Sequence, residues 1–577
     1  MMSLDQTPIN QLITDNIDTW TSTVKTKATT GRGSSKKLDL YGVKKLRELI
    51  LELAVQGKLV PQDLGDEPAS VLLEQIAAEK AQLIKDKKIK KPKELAEISD
   101  EEQPFSLPHG WSFIRLNEYG EWGSGSTPKR SNSDYYGGDI PWFKSGELTG
   151  DYISKSEETI TELALAETSV RYNNVGDVLV AMYGATIGKT AILSVRATTN
   201  QAVCACTPFS GLSNTYLLLI LKAYKSRLIG MGAGGAQPNI SREKIINTVI
   251  ALPSTNEQHR IVAKVGELMA LCDQLEQQTE ASLDAHQVLV ETLLATLTNS
   301  QDATELMANW ARISEHFDTL FTTEESIDQL KQTILQLAVM GKLVPQDPND
   351  EPAAKLLECI AEEKAQLIKD KKIKKQKALP PISDDEKPFE LPKGWEWCRF
   401  GTLVNFKAEL VRPEEYLDLD QVAPDSIEKG TGKLIKRRTV SESGVKGPNS
   451  RFYAGQILYS KIRPSLSKAI IAEFDGLCSA DMYPLEAMVN SEFLLKIILS
   501  EVFLTQVRAA ENRIKMPKLN VDSLSNILVP ICPDNEMGRI SSKLSELMFV
   551  SDQLKQRINK RQQTQLQLTD AIVEQAL

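Results

Sequence analysis

The residues best suited to chemistry in this chain are polar and basic, and they gather in two stretches. The first holds Thr127-Pro128-Lys129-Arg130, Tyr136, Lys144, Thr186, Lys189, Asn200-Gln201 and Gln237-Pro238-Asn239. The second holds Lys436-Arg437-Arg438, Lys461-Ile462-Arg463, Lys468 and Arg513-Ile514-Lys515. Lysine and arginine neutralise phosphates or grip guanine, and asparagine and glutamine pair with adenine, so these side-chain types suit nucleic-acid contact. Any single one is equally at home on a solvated surface, and the aromatic residues serve cores as readily as contacts.

Catalytic patterns are missing beside them. Gly184-Ala185-Thr186-Ile187-Gly188-Lys189-Thr190 resembles a phosphate-binding loop, but that motif needs glycine where Tyr183 stands. A strand-end turn that sets Lys189 on a phosphate fits better, and Lys468 matches it in the second stretch. There is no Asn/Asp-Pro-Pro-Tyr/Phe methylation motif, because Pro380-Pro381 lies in a connector. Pro424-Asp425 followed by Glu428-Lys429 lacks the carboxylate-x-lysine spacing of a nuclease. The seven cysteines include no C-x-x-C pair, and His109, His259, His286 and His316 are scattered, so reduced structural thiols and no metal site are expected. The chain by itself is expected to be non-catalytic and to bind no cofactor.

The elements that must position these residues are written twice. Leu53 to Lys91 returns as Leu337 to Lys375, and the offset of 284 holds to Gly110-Trp111 and Gly394-Trp395. A closing stretch, Glu257 to Leu275, returns as Glu536 to Leu554 at an offset of 279. Gly176, Leu179 and Lys189 match Gly455, Leu458 and Lys468 at that same offset. A repeat near half the chain length means two copies of one unit rather than a solenoid. The material between the repeats differs, which suggests two recognition surfaces for two targets.

Within each copy the pattern predicts helices around a mixed core. Leu46, Leu49, Ile50 and Leu53 recur at helical spacing, and Gly57 is placed to end that helix. A second helix should open at Asp66-Glu67-Pro68, an acidic cap with proline in the first turn, and run to the lysines at 85–91. Those lysines suit a helix C-terminus, with phosphate contact or docking on an acidic partner as the alternatives. Residues 177–183 and 202–206 read as strands and 216–224 as a buried helix. Residues 1–40 are polar and read as a mobile lead-in.

The closing helices carry a seam. Ile261, Val265, Leu268, Cys272, Leu275, Thr279, Ser282, His286, Leu289 and Leu293 alternate steps of four and three, as do Ile540 through Leu568 and Ile572. Both seams turn polar near the middle, a device for fixing register, and His286 reads as such a register residue. A helix from Ile261 to Leu297 spans roughly 55 Å at 1.5 Å per residue. That length suits a strut holding two reading heads about 34–36 Å apart, one turn of duplex. The internal repeat predicts an approximate two-fold with these helices antiparallel.

Composition sets the bounds. The 577 residues are 41% hydrophobic and 25% charged, as in globular proteins, with room for roughly three to five domains. The net charge of −9 argues against bulk electrostatic coating of nucleic acid but leaves local basic faces open. No apolar run approaches a membrane span and the start lacks a signal-peptide pattern, so a cytoplasmic protein without membrane contact is expected.

Taken together the motifs resemble the specificity subunit of type I restriction-modification enzymes. They are Leu-Pro-x-Gly-Trp at each core entry, Ser126-Thr127-Pro128 leading to Tyr136-Gly137-Gly138-Asp139-Ile140-Pro141-Trp142, Gly188-Lys189-Thr190-Ala191 and Asn200-Gln201-Ala202. Gln237-Pro238-Asn239-Ile240 and Glu257-Gln258-His259-Arg260-Ile261 complete the first core. In the second, Ile457 to Pro464, Ser479-Ala480-Asp481 and Lys515-Met516-Pro517-Lys518-Leu519 resemble another branch of the same recognition domains. The resemblance implies a mixed α/β (α+β) fold with two target-recognition domains separated by long antiparallel coiled-coil helices. The expected boundaries are 1–105 for an N-terminal helical region, 106–253 for the first recognition domain and 254–299 for a central spacer helix. A linker with the second repeat copy follows at 300–389, the second recognition domain at 390–535 and a C-terminal spacer helix at 536–577.

The resemblance also implies that each domain binds one half of an asymmetric bipartite site on double-stranded DNA, with the helices setting the unread spacer and docking partners. Those partners would be two modification subunits, which bind S-adenosylmethionine and methylate adenine, and two ATP-driven restriction subunits that use Mg2+. A methylation-only system without a nuclease, a non-DNA coiled-coil scaffold and a self-sufficient methyltransferase are the competing readings.

Overall fold

The computed structural model describes residues 9–27, 37–89, 95–232, 238–301, 303–373, 377–510 and 518–577. The chain divides into two units, Met1–Ser282 with Gln562–Leu577 and Leu283–Arg561. Both are mixed α/β, and no helix among the described residues is long and apolar enough to cross a membrane.

In the first unit the mixed core is built on strands β1 (Ser112–Arg115), β2 (Gly120–Ser124), β3 (Tyr136–Phe143), β4 (Tyr152–Ile153) and β5 (Glu158–Ile160). They continue as β6 (Val178–Ala181), β7 (Thr190–Leu193), β8 (Thr198–Thr199), β9 (Val203–Pro208) and β10 (Val249–Leu252). A five-stranded sheet runs β2-β9-β6-β7-β4, a three-stranded one β8-β3-β5, and β10 pairs with β1. β6 and β7 are buried at every position, which is why their sequences run apolar, Thr190 apart, instead of alternating. The helix Asn214–Ala223 packs on β6 and β7, and Phe143, Leu148 and Ile153 fill the sheet's core with Leu179, Leu193 and Val203.

The second unit repeats the plan with β11 (Glu396–Arg399), β12 (Val404–Phe406), β13 (Glu409–Val411), β14 (Asp420–Val422) and β15 (Asn449–Phe452). β16 (Ile457–Ser460), β17 (Ala469–Ile471), β18 (Gly476–Cys478), β19 (Met482–Ala487) and β20 (Leu528–Ile531) complete it. Its sheets are β12-β19-β16-β17, β13-β15-β18-β14 and β11-β20.

The scaffold contacts recur at the offsets read from the sequence. Trp111 donates from Nε1 to Glu257 at 2.9 Å, and Trp395 to Glu536 at 3.1 Å. Gln62 reaches Glu257 and Gln346 reaches Glu536; Arg260 pairs with Asp66 at 2.6 Å and Arg539 with Asp350 at 2.5 Å. Buried Arg115 binds Glu102 and the Asn247 carbonyl, as Arg399 binds Glu386 and the Asn526 carbonyl. Lys58 donates to the Leu577 carbonyl, and Lys342 to the Thr298 carbonyl 279 residues earlier at 2.9 Å. Asp66 therefore serves as an inter-element tether rather than the expected helix cap. The helix opens at Ala69 instead, whose N–H is satisfied by the Gly110 carbonyl at 2.8 Å.

Each unit is closed by a helix end from the other half of the chain. In the first, the Tyr41–Val55 helix pairs through Arg47 with Asp273 and Glu276 of the central helix (Thr255–Asn299). Its Tyr41 donates to Asp570 of the C-terminal helix (Asp534–Ala576), and the tie from Lys58 to Leu577 lies farther along both. The end of the C-terminal helix thus runs parallel to Tyr41–Val55 and antiparallel to the head of the central helix. In the second unit, Lys555 with Asp328 and Lys331 with Asp552 set the Glu324–Val339 helix antiparallel to the C-terminal helix. Gln329–Glu291 and Lys342–Thr298 set it parallel to the end of the central helix.

Two expectations are corrected here. The mobile lead-in reading fails for the described part of 1–40: residues 9–22 form two short helices, Trp20 is wholly buried, and Thr569 donates to Thr23 at 3.1 Å, while 1–8 and 28–36 lie outside the described residues. The seam follows the expected positions to Thr279 and then slips by one. Val290, Leu294 and Leu297 are buried while Leu289 is 49% exposed, and Thr569 is buried while Leu568 is 49% exposed. An α-helix advances 3.6 residues per turn, so a straight helix drifts off a strict seven-residue repeat, and both helices take the step at the same repeat position. His286, half-buried beyond the slip, sits 3.0 Å by Nε2 from the Leu320 carbonyl.

Candidate nucleic-acid interface

In the first core the loop after β2 crosses the ends of β8 and β3. Gly125 allows the crossing, since a Cβ there would lie 2.2 Å from the Thr199 carbonyl. The Ser126 N–H donates to that carbonyl at 3.0 Å and the Trp142 indole donates to the Ser126 carbonyl at 3.1 Å, which pins the loop. Thr127 then donates to the side chain of exposed Gln201. Asn200 is half-buried, and its Oδ1 accepts from the Ala202 N–H at 3.1 Å. Tyr136 donates its hydroxyl to the Pro128 carbonyl at 2.6 Å, while Lys129 stays exposed.

Arg130 and Lys144 converge on a carboxylate that sequence reasoning missed. Glu158 takes Arg130 at 2.5 Å and Lys144 at 2.9 Å, and the pair holds its carboxyl below the ordinary glutamate value. The Arg130 guanidinium also lies 4.6 Å from the Tyr136 ring centroid and 5.0 Å from that of Trp142. Glu158 stands 28 residues from Arg130 and gives no local signal.

The Gly184–Thr186 turn links antiparallel β6 and β7, so Lys189 leads into a strand and not the helix a phosphate loop requires. Thr186 donates to the Tyr183 carbonyl at 2.7 Å, and Asn239 bridges to Tyr183, whose side chain is exposed. Lys189 donates to the Gly146 carbonyl at 3.2 Å and so tethers the Ser145–Glu147 turn, which follows Lys144. Lys468 does the same in the second core, donating at 2.5 Å to the Pro424 carbonyl. The repeated lysine is a loop tether in both. Thr127, Arg130, Tyr136, Lys144, Asn200 and Gln201 thus form one group, joined through the 144–147 turn to Thr186, Lys189 and Asn239. Gln237 lies outside the described residues.

In the second core Lys436, Arg437 and Arg438 follow one another past β14. Arg437 grips Asp420 with Nε at 3.0 Å and Nη2 at 2.7 Å and lies 4.4 Å from the Phe474 ring centroid. Arg438 donates to Gln421 at 3.1 Å and Asp425 at 2.9 Å, with Lys436 4.0 Å from Asp425. Lys461 lies over the Tyr483 ring, and exposed Arg463 holds a left-handed backbone at φ 44°. Arg513 and Lys515 lie outside the described residues.

The arrangement can hold phosphates and present donors and acceptors to base edges. Among the described residues no group of three or more His, Cys, Asp or Glu is arranged to hold a metal ion. Burial pushes the thiols of Cys204 and Cys478 up to about 12, which disfavours the reactive thiolate.

The sequence profile described as Type I restriction modification DNA specificity domain matches residues 108–285. Over 593 residues the chain is 44% identical to the Type I restriction enzyme EcoAI specificity subunit of Escherichia coli, covering 99% of this chain and 100% of that one. It is 41% identical over 604 residues to the EcoEI specificity subunit, also of Escherichia coli, with 99% and 100% covered. A solved chain from a type I R-M system aligns over 82% of this chain and 99% of its own at 16% identity, with a TM-score of 0.48. With such identity across essentially the whole length of two relatives, this protein belongs to the specificity subunits of type I restriction enzymes.

Proposed function

We propose that this chain chooses the DNA sequence on which a type I restriction-modification complex acts, each core reading one half of an asymmetric bipartite site. One observation carries the reading: the contacts that hold the helices to the cores repeat at fixed offsets, whereas among the described residues the polar faces of the two cores share only the tethering lysine. A protein with one scaffold and two unlike faces is built to read two unlike sequences. The long helices set the unread spacer and dock two modification subunits, which bind S-adenosylmethionine and methylate adenine after flipping it from the duplex. Two restriction subunits supply ATP- and Mg2+-dependent translocation and cleavage, and this chain supplies sequence choice without catalysis.

Exchange of residues 106–253 for another recognition core tests this in the intact complex. Sequencing of methylated sites in the host genome should show one half of the target replaced and the other unchanged. An unchanged target, or a change in both halves, overturns the assignment.

A further inference from the structure

Arg130 and Arg437 share a geometry that neither the repeat nor the family assignment requires. Both are exposed, with 53% and 65% of the side chain accessible, yet both are fixed. Each is bound by one carboxylate, Glu158 or Asp420, and each lies against an aromatic ring, Tyr136 and Trp142 in one case and Phe474 in the other. A guanidinium has two bidentate edges. Arg130 uses Nη1 for Glu158 and keeps Nε and Nη2; Arg437 uses Nε and Nη2 for Asp420 and keeps the Nη1 end. Among the described residues one fork is therefore held in place and unspent in each core.

Surface ion pairs of this kind add little stability, so an exposed arginine held on two sides needs another reason. Holding the fork removes the rotamer entropy that a free side chain loses on binding, and a bidentate fork matches the O6 and N7 acceptors of guanine in the major groove. The scaffold arginines, by contrast, are buried or tie helix ends and recur in both copies: Arg115 with Arg399, Arg260 with Arg539. Arg130 and Arg437 have no such counterpart, since Glu414 and Glu409 stand 284 and 279 residues beyond Arg130. Residues that differ between otherwise repeated units are the ones able to set different half-sites. Arg196 stacks on Tyr172 at 3.8 Å, but among the described residues no carboxylate fixes its edge.

Building on the bipartite reading above, we infer that Arg130 and Arg437 each read one guanine, in different half-sites, and that Glu158 and Asp420 are positioning residues that aim them. The test uses the chain assembled with its modification subunits and a pool of double-stranded DNA with randomised positions, selected at fixed salt and sequenced. Wild type should return a two-part motif with guanine in each half, and a pool with no motif overturns the bipartite reading itself. Arg130→Lys keeps the charge and removes the fork. It should lower the preference for guanine at one position by roughly 10- to 100-fold, leaving every other position and the second half as in wild type. Glu158→Gln should relax the same position. Arg437→Lys and Asp420→Asn should act in the other half alone.

The unaltered half-site in each variant reports that the protein is folded. An unchanged motif in Arg130→Lys and Arg437→Lys, or a uniform loss of affinity across sequences, overturns this inference while leaving the bipartite reading intact. The uniform loss would assign both side chains to phosphates.

Discussion

Trp111→Phe is the sharpest test of how a recognition core is locked to the scaffold. The indole donates to Glu257 at 2.9 Å, and both residues are buried. A hydrogen bond to a charged group contributes about 1.5–3 kcal/mol, and the smaller ring forfeits about 1 kcal/mol of apolar burial. The expected cost is about 3 kcal/mol at neutral pH, a shift of about 1 M in urea midpoint at a slope of about 3 kcal/mol per M. Burial raises the Glu257 carboxyl above the ordinary glutamate value, and the bonds from Trp111 and Gln62 pull it down.

A carboxyl whose folded value is raised binds protons more readily folded than unfolded. Its contribution to stability falls as pH rises from the ordinary glutamate range through the raised value. Removal of the indole donor raises the carboxyl further, so the cost of Trp111→Phe should be largest above that window and shrink below it. Urea unfolding of the full chain at pH 4 and pH 7.5, repeated in a Glu257→Gln background, measures this as a double-mutant cycle. An equal cost at both pH values, or the same cost with and without Glu257, would refute the coupling. Trp395→Phe, through Glu536, should reproduce the effect in the second unit.

Other outcomes follow from the same geometry. Gly57→Ala should cost more than about 1 kcal/mol by thermal unfolding, because the position has φ 70° and an added Cβ would lie 2.5 Å from Pro108 and 2.9 Å from the Trp111 ring. Lys189→Ala frees the Ser145–Glu147 turn and should weaken binding several-fold at every sequence in competition binding at fixed salt, without moving the motif. Lengthening both long helices by four residues adds about 6 Å to each, and site sequencing should show a longer tolerated spacer.

The 284 and 279 offsets were legible because the scaffold uses the same side chains twice, and Trp111, Glu257 and Arg260 all fall in repeated stretches, with Arg115 four residues past the end of one. The strands near 177–183 and 202–206 were legible because burial on both faces leaves an uninterrupted apolar run. The seam was legible only to Thr279 and Ile558, since a seven-residue repeat extrapolated along a straight helix misses the 3.6-residue drift. The candidate site was legible as residue types alone. Lys189 and Lys468 were legible as cations, but not the loop carbonyls they donate to, because a lysine's sequence neighbours do not reveal which carbonyl 43 or 44 residues away will face it.

Sequence by itself determined the family, the duplicated scaffold and the two unlike cores, because repetition and motif spacing are properties of the linear chain. Tertiary structure alone decided which exposed arginines are aimed. Glu158 and Asp420 meet Arg130 and Arg437 only after strands distant in sequence are brought side by side, and direction is fixed by partners in space.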